Sequence, residues 1–179
     1  MNEFDFNKMI SQSRQVLLNT SVETFEKFEN DGGLKEALIY IAIATLISGL
    51  FGLGGGIKGM ISNVIVTLFG FAAFSYLVHF MGNQQGGTST LDQVAYSLAL
   101  FWAPLSVLFS AIIFILVITI VGILFIPFVA IIGLIANVYY AYTAAQSSLN
   151  LTDKSKIWIT LIVASLGWMV VKAFVSNFF

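Results

Sequence analysis

Between Asp92 and Asp153 the chain carries no Lys, Arg, Asp, Glu or His. As a single helix this stretch would be about 90 Å long at ~1.5 Å per residue, roughly three times the ~30 Å hydrocarbon thickness of a bilayer. As the core of a soluble domain it would leave a large apolar surface in water. It must therefore cross a membrane and turn back within an apolar sequence, which makes it two spans. Composition agrees, since 58% of residues are hydrophobic and only 9% charged, with a mean hydropathy of +0.92. Soluble domains carry roughly 25% charged residues.

The same numbers exclude several classes of function. A net charge of -1 and the lack of a basic cluster leave nothing to follow a phosphate backbone, so nucleic acid is not an expected partner. Cysteine is absent, which removes disulfides, thiol nucleophiles and Cys-based metal sites. Gly54, Gly56 and Gly59 formally match G-x-G-x-x-G, but no strand precedes them and no acidic residue follows at ~20 positions. Nucleotide binding is rejected there, and residues 54–59 read as a turn. No cofactor and no metal are expected.

In chain order, 1–33 is a polar tail whose second half carries a helix signal. Thr20-Ser21-Val22-Glu23 fits a capping box, followed by Phe25 and Phe28 at helical spacing with Leu18 and Val22. Such a short amphipathic helix lies on the membrane surface or packs under a bundle; the plainer alternative is a solvated linker with a few apolar residues. Asp31-Gly32-Gly33 then reads as a hinge. Five spans come next, at about 34–53, 60–81, 91–116, 122–146 and 157–176. Thr90-Leu91-Asp92-Gln93 offers a second capping box at the start of the third, and a turn is expected around 119–122. The expected fold is an all-α integral membrane bundle of five helices behind a short amphipathic N-terminal helix.

Three stripes of small residues recur at four-residue spacing: Ala44/Ser48/Gly52/Gly56, Ala95/Ala99/Ala103, and Gly133/Asn137/Ala141/Ala145. In lipid such stripes let helix backbones approach closely, within one chain or between copies of a homo-oligomer. With the N-terminus inside, Lys8, Arg14, Lys27, Lys35, Lys154 and Lys156 are cytoplasmic while Lys58 and Lys172 face out, so the positive-inside rule favours N-in, C-out.

Chemistry can hide only in the few intramembrane polar residues. His79 and Asp92 flank one loop and form a candidate interface pair; the plainer reading is an interfacial imidazole and a helix-start charge. Asn63, Tyr96, Asn137 and Gln146 are candidates to line a polar pocket between spans, or to act as interhelical glue. Pro104 and Pro127 would kink helices beside it. Nothing forms a nucleophile, base and orienting group, so no enzyme activity is expected.

Leu17-Leu18-Asn19, Phe25-Glu26-Lys27-Phe28 and Gly33-Leu34-Lys35-Glu36-Ala37-Leu38 resemble the approach to the first span in prokaryotic proteins of the Ypt-interacting-protein (YIP) domain family. So do the Gly86-Gly87 loop, Asp92-Gln93-Val94-Ala95-Tyr96 and Ala103-Pro104. The likeness runs from about Leu17 to Phe174. It departs at Thr20, where many relatives have proline, and the sequence lacks the Asp-Leu-Tyr-Gly-Pro motif of eukaryotic members. The resemblance implies a five-span fold and a membrane-organising role. Eukaryotic relatives bind Rab-type GTPases in vesicle trafficking, but that partner is not carried over. The expected function is a non-enzymatic scaffold in a prokaryotic cell membrane, whose partners are the lipid bilayer, further copies of itself and proteins that leave no signature in the sequence. The competing reading is a small channel or transporter with a polar pocket.

Overall fold

A computed structural model describes residues 4–51 and 56–177 of the chain. Among these residues the structure is all-helical: α1 (Phe6–Leu18), α2 (Val22–Glu26), α3 (Leu34–Phe51), α4 (Gly56–Gln84), α5 (Leu91–Ile118), α6 (Ile126–Leu149) and α7 (Lys154–Ser176). A 3-10 turn, Ile120–Phe125, joins α5 to α6. Five of the helices, α3 to α7, are long and apolar enough to cross a membrane. The expected class, a five-span bundle with a short N-terminal amphipathic segment, is therefore the observed one.

Helix α5 sits at the centre, packed against α3 on one side and α6 on the other, while α4 pairs with α7 and also touches α3. The cause is the size of its side chains. Ala95, Ala99 and Ala103 are fully buried, and together with Ala44 of α3 they bring the two helices together. Gly133 does the same for α6, where an added Cβ would sit 3.3 Å from the Phe109 ring of α5. Ala145 is fully buried and Ala141 half-buried on the same helix. The α5 stripe, with Gly133 and Ala145 of the α6 stripe, is thus packed inside one chain. Gly52 lies outside the described residues, and Gly56 is exposed at the start of α4 with φ +55°.

Several boundaries differ from those expected of the sequence. The N-terminal tail holds two helices, because Asp5 caps α1 by accepting from the Lys8 amide at 3.0 Å. The second helix is capped by Ser21, not Thr20: Ser21 Oγ accepts from the Thr24 amide at 3.2 Å, while the Thr20 hydroxyl turns back to the Val16 carbonyl. Residues 56–59, expected in a turn, are already helical, so α4 starts earlier than 60. A helix that continues satisfies its own backbone groups, which a turn at membrane depth does not. The Thr90–Gln93 capping box is present with both reciprocal bonds. Pro127 falls in the first turn of α6, where it has no amide to lose, and so does not kink the helix.

Replacing Ala99 by Leu inserts three carbons into the α3–α5 contact, a change that costs about 1–3 kcal/mol in a packed core. A lowered thermal midpoint in detergent with unchanged particle mass is the expected result; a change of oligomeric mass alone would return the stripe to an intermolecular role.

Candidate functional site

The polar side chains gather at one end of the bundle, where α1, α2 and the first turns of α3 and α5 meet. Asp92, in the first turn of α5, accepts from the Leu34 amide at 2.8 Å and so caps α3 as well as starting α5. Helix starts carry partial positive charge and unmet amides, so one carboxylate serves two of them. The adjoining Gly33 amide donates to Glu36 Oε2 at 2.9 Å, closing the same first turn from within. Glycine is required here: a Cβ on Gly33 would lie 2.6 Å from Asp92 Oδ1, and one on Gly32 would lie 2.3 Å from the Tyr96 ring. The segment expected to be a hinge is instead a site of close approach.

Around this cap the N-terminal helices are tied down by a polar collar. Tyr96, buried on α5, donates from its hydroxyl to Gln12 Oε1 at 2.7 Å, and Gln12 Nε2 in turn donates to Asp31. Asp31 also pairs with Lys8 at 3.3 Å. The hydroxyls of Ser13 and Tyr40 bond each other at 3.0 Å. From the other side, Ser147 on α6 donates to the buried Glu29 at 2.9 Å, Tyr140 donates to the Leu17 carbonyl at 2.9 Å, and Gln93 reaches Asn30 at 2.9 Å. These contacts join α1, α2 and their connections to α3, α5 and α6.

His79 and Asp92 are not brought together as a pair. His79 Nδ1 faces Ser89 Oγ at 3.0 Å and Asn83 Nδ2 at 3.3 Å, while Asp92 serves the start of α3. Asn83 completes that corner by accepting from the Ser89 amide and hydroxyl and donating to its carbonyl. The imidazole, on α4, therefore braces the last turns of that helix against the loop leading to α5.

A second polar region lies deeper. A cavity of about 220 Å³ between α3, α4, α5 and α7 is lined by Thr45, Ser48, Asn63, Ser106, Ser110 and Lys172, with Trp102 and Trp168 among its walls. Ser48 Oγ is buried there without a hydrogen-bond partner among the described residues. Trp102 forms one wall, packed edge-on against Phe71 at 5.4 Å and Phe74 at 5.7 Å and against Trp168 at 6.5 Å. Lys172 Nζ stands 5.0 Å over the Trp168 ring at the far end.

The four residues read as pocket lining or as interhelical glue lie apart. Asn63 lines this cavity; Tyr96 belongs to the collar; Asn137 Nδ2 donates to the Gly133 carbonyl of its own helix at 2.8 Å; Gln146 lies half-buried near the end of α6. Depth explains it, because Asn63 lies near the start of α4 at the far face whereas Tyr96 is within two turns of the collar face. No sequence pattern marks Gln12, Ser13, Glu29, Tyr40 and Ser147, which carry the collar, or the serines and threonines of the cavity. Among the described residues no group of three His, Asp or Glu lies close enough to hold a metal ion.

The Yip1 domain matches residues 14–174, nearly the whole chain. The protein belongs to the Yip1 domain family. Neither curated proteins nor solved structures gave a match. The matched range takes in Gly32, Gly33, Asp92 and Tyr96 of the collar.

Within the Yip1 chain, Glu29 gives the collar a pH dependence. Burial, the largest effect, pushes its carboxyl above the ordinary carboxylate range; the Ser147 hydrogen bond pulls it back, and Glu26 adds a smaller upward push. The folded protein then holds this proton more tightly than the unfolded chain, so the group's contribution to stability falls as pH rises through the carboxylate range. Glu29→Gln keeps an acceptor for Ser147 and removes the buried charge. Its thermal midpoint in detergent should exceed wild type at about pH 7.5, with the gap narrowing towards about pH 4; a constant gap would mean that the carboxyl's charge plays no part.

Proposed function

We propose that this protein is a non-enzymatic scaffold embedded in the membrane, which organises the bilayer or recruits partners through its docked N-terminal helices. The support is where the polar chemistry is spent. Gln12–Tyr96, Ser13–Tyr40, Glu29–Ser147 and Asp92–Leu34 hold α1 and α2 on the bundle, and the carboxylates and tyrosines involved are engaged as ties. Helix α1 keeps Met9, Gln12, Ser13 and Val16 inward and leaves Ile10 and Leu18 exposed, 44% and 69%, beside α3 and α5. A helix fixed in one leaflet, with no counterpart in the other, adds area to that leaflet alone.

In this reading the collar face is cytoplasmic. It carries Lys8, Arg14, Lys27, Lys35, Lys154 and Lys156, against Lys58 and Lys172 on the other face, which is the positive-inside pattern. A chain without cysteine suits labelling. In intact cells a membrane-impermeant maleimide should modify Asn177→Cys and spare Ser155→Cys; the opposite pattern would invert the orientation.

A small-solute channel remains the second reading, because the cavity at Asn63 and Ser48 is polar and contains an unpartnered hydroxyl. One reconstitution separates the two. As a scaffold, the full chain should narrow or elongate vesicles seen by cryo-electron microscopy. A chain lacking residues 4–20 should insert without this effect, and neither should pass protons or small solutes. Solute flux abolished by Asn63→Leu, with vesicle shape unchanged throughout, would replace the scaffold by the channel.

A further inference from the structure

An apolar groove of about 790 Å³ opens between α1, α3 and α5, bordered at its collar end by Ser13 and Tyr40 and distinct from the polar cavity. Its volume lies within the roughly 300–1,000 Å³ typical of ligand pockets. It exists because the side chains along its floor are small: Ala44, Ala103 and Ala111 line it beside Pro104, and none has the bulk to fill the space where α1 crosses the two spans. Along α3 it extends from Tyr40 to Ile47, about 9 to 20 Å below the first residue of that helix at ~1.5 Å per residue. The groove thus opens on the collar side and reaches to and past the midplane of a ~30 Å hydrocarbon core.

The walls identify the kind of molecule that fits. Ile43, Val107 and Leu108 offer only hydrocarbon, and the two hydroxyls that reach the groove, Ser13 and Tyr40, satisfy each other. Water has no partners in such a space, and an empty groove would forfeit the contacts of its lining. The rim is different. Arg14 of α1 lines the groove, is exposed, and makes no ion pair among the described residues, whereas neighbouring Lys8 is engaged with Asp31. A guanidinium at the level of the membrane interface is matched by a phosphate, to which it donates two parallel hydrogen bonds.

We propose that this groove holds one acyl chain of an anionic phospholipid from the leaflet on the collar side, with its phosphate bound by Arg14. The lipid then completes the seat of α1: hydrocarbon fills the gap beneath the helix, and the headgroup neutralises its unpaired cation.

The test is native mass spectrometry of the full chain, cleared of lipid in detergent and offered equal amounts of phosphatidylglycerol and phosphatidylcholine. Wild type should retain a single phosphatidylglycerol with a preference of about fivefold, the factor for one basic residue near an anionic headgroup. Arg14→Gln should level the two lipids, and Arg14→Lys should keep most of the preference. Ala111→Trp, which fills the deep end, should lose both lipids while circular dichroism shows unchanged helix; if this variant does not fold, the Arg14 pair decides alone. Equal retention of both lipids by wild type, or a preference unaltered by Arg14→Gln, overturns the proposal. So does a dimer that Ala111→Trp abolishes, which would make the occupant a second copy of the chain.

Discussion

The arrangement of this bundle rests on one carboxylate shared between two helix starts. Asp92 accepts from the Leu34 amide at 2.8 Å while standing in the first turn of α5. Two helices that begin side by side place two positive helix ends and two sets of unmet amides near each other, an arrangement that is unfavourable unless an anion lies between them. The carboxylate supplies it. Its position then demands that the chain pass within contact distance, which Gly32 and Gly33 permit because neither has a Cβ. With the starts of α3 and α5 locked together, the alanine face of α5 is aligned with α3 along its length, and Tyr96, one turn below, is placed to reach Gln12.

The two ends of the molecule differ in kind as a result. At the collar, hydrogen bonds join segments far apart in sequence, such as Glu29 to Ser147 and Leu17 to Tyr140. At the opposite end, α5 and α6 are joined by a 3-10 turn with exposed Ile123, Leu124, Phe125 and Phe128, whose surroundings must be lipid. Tight turning there depends on Gly122, since a Cβ would meet the Leu116 carbonyl at 2.5 Å. Polar contacts between segments far apart in sequence are thus concentrated at one membrane face, while the other end relies mainly on packing and local bonds such as that of Thr119 to the Ile115 carbonyl.

This division also decides which parts are legible in the sequence. Local signals are: the Thr90–Gln93 box needs residues three apart, and the alanine stripe on α5 needs only a four-residue repeat. Helix α1 escapes because the side it buries contains Gln12 and Ser13 beside Met9 and Val16, so no apolar stripe marks it. Ser21 displaces Thr20 as the cap of α2 because both can serve, and Thr20 is already held by the Val16 carbonyl. The cross-helix role of Asp92 joins residues 58 apart and has no local pattern. Grouping Asn63 with Tyr96 fails for a different reason: intramembrane amides and hydroxyls are alike in type but not in depth, and their positions along α4 and α5 set these two at opposite faces.

Depth also bears on what the cavity contributes to function. Its polar lining runs from Thr45 and Ser106 towards Asn63, Ser110 and Lys172, and stops at Trp102. There Phe71, Phe74 and Trp168 pack around the indole, two of them edge-on within 5.4 and 5.7 Å. A path across the membrane would have to move that cluster, and beyond it α5 buries Ala95, Leu98 and Ala99, with the Ser97 hydroxyl among them and without a hydrogen-bond partner among the described residues. Moving several packed aromatic rings together forfeits many contacts at once, each small and collectively large. The cavity is therefore walled on one side by Trp102 and Trp168, with Phe71 and Phe74 packed behind the Trp102 indole. That packing favours the proposed scaffold over a conduit, since opening a path would require these rings to move together.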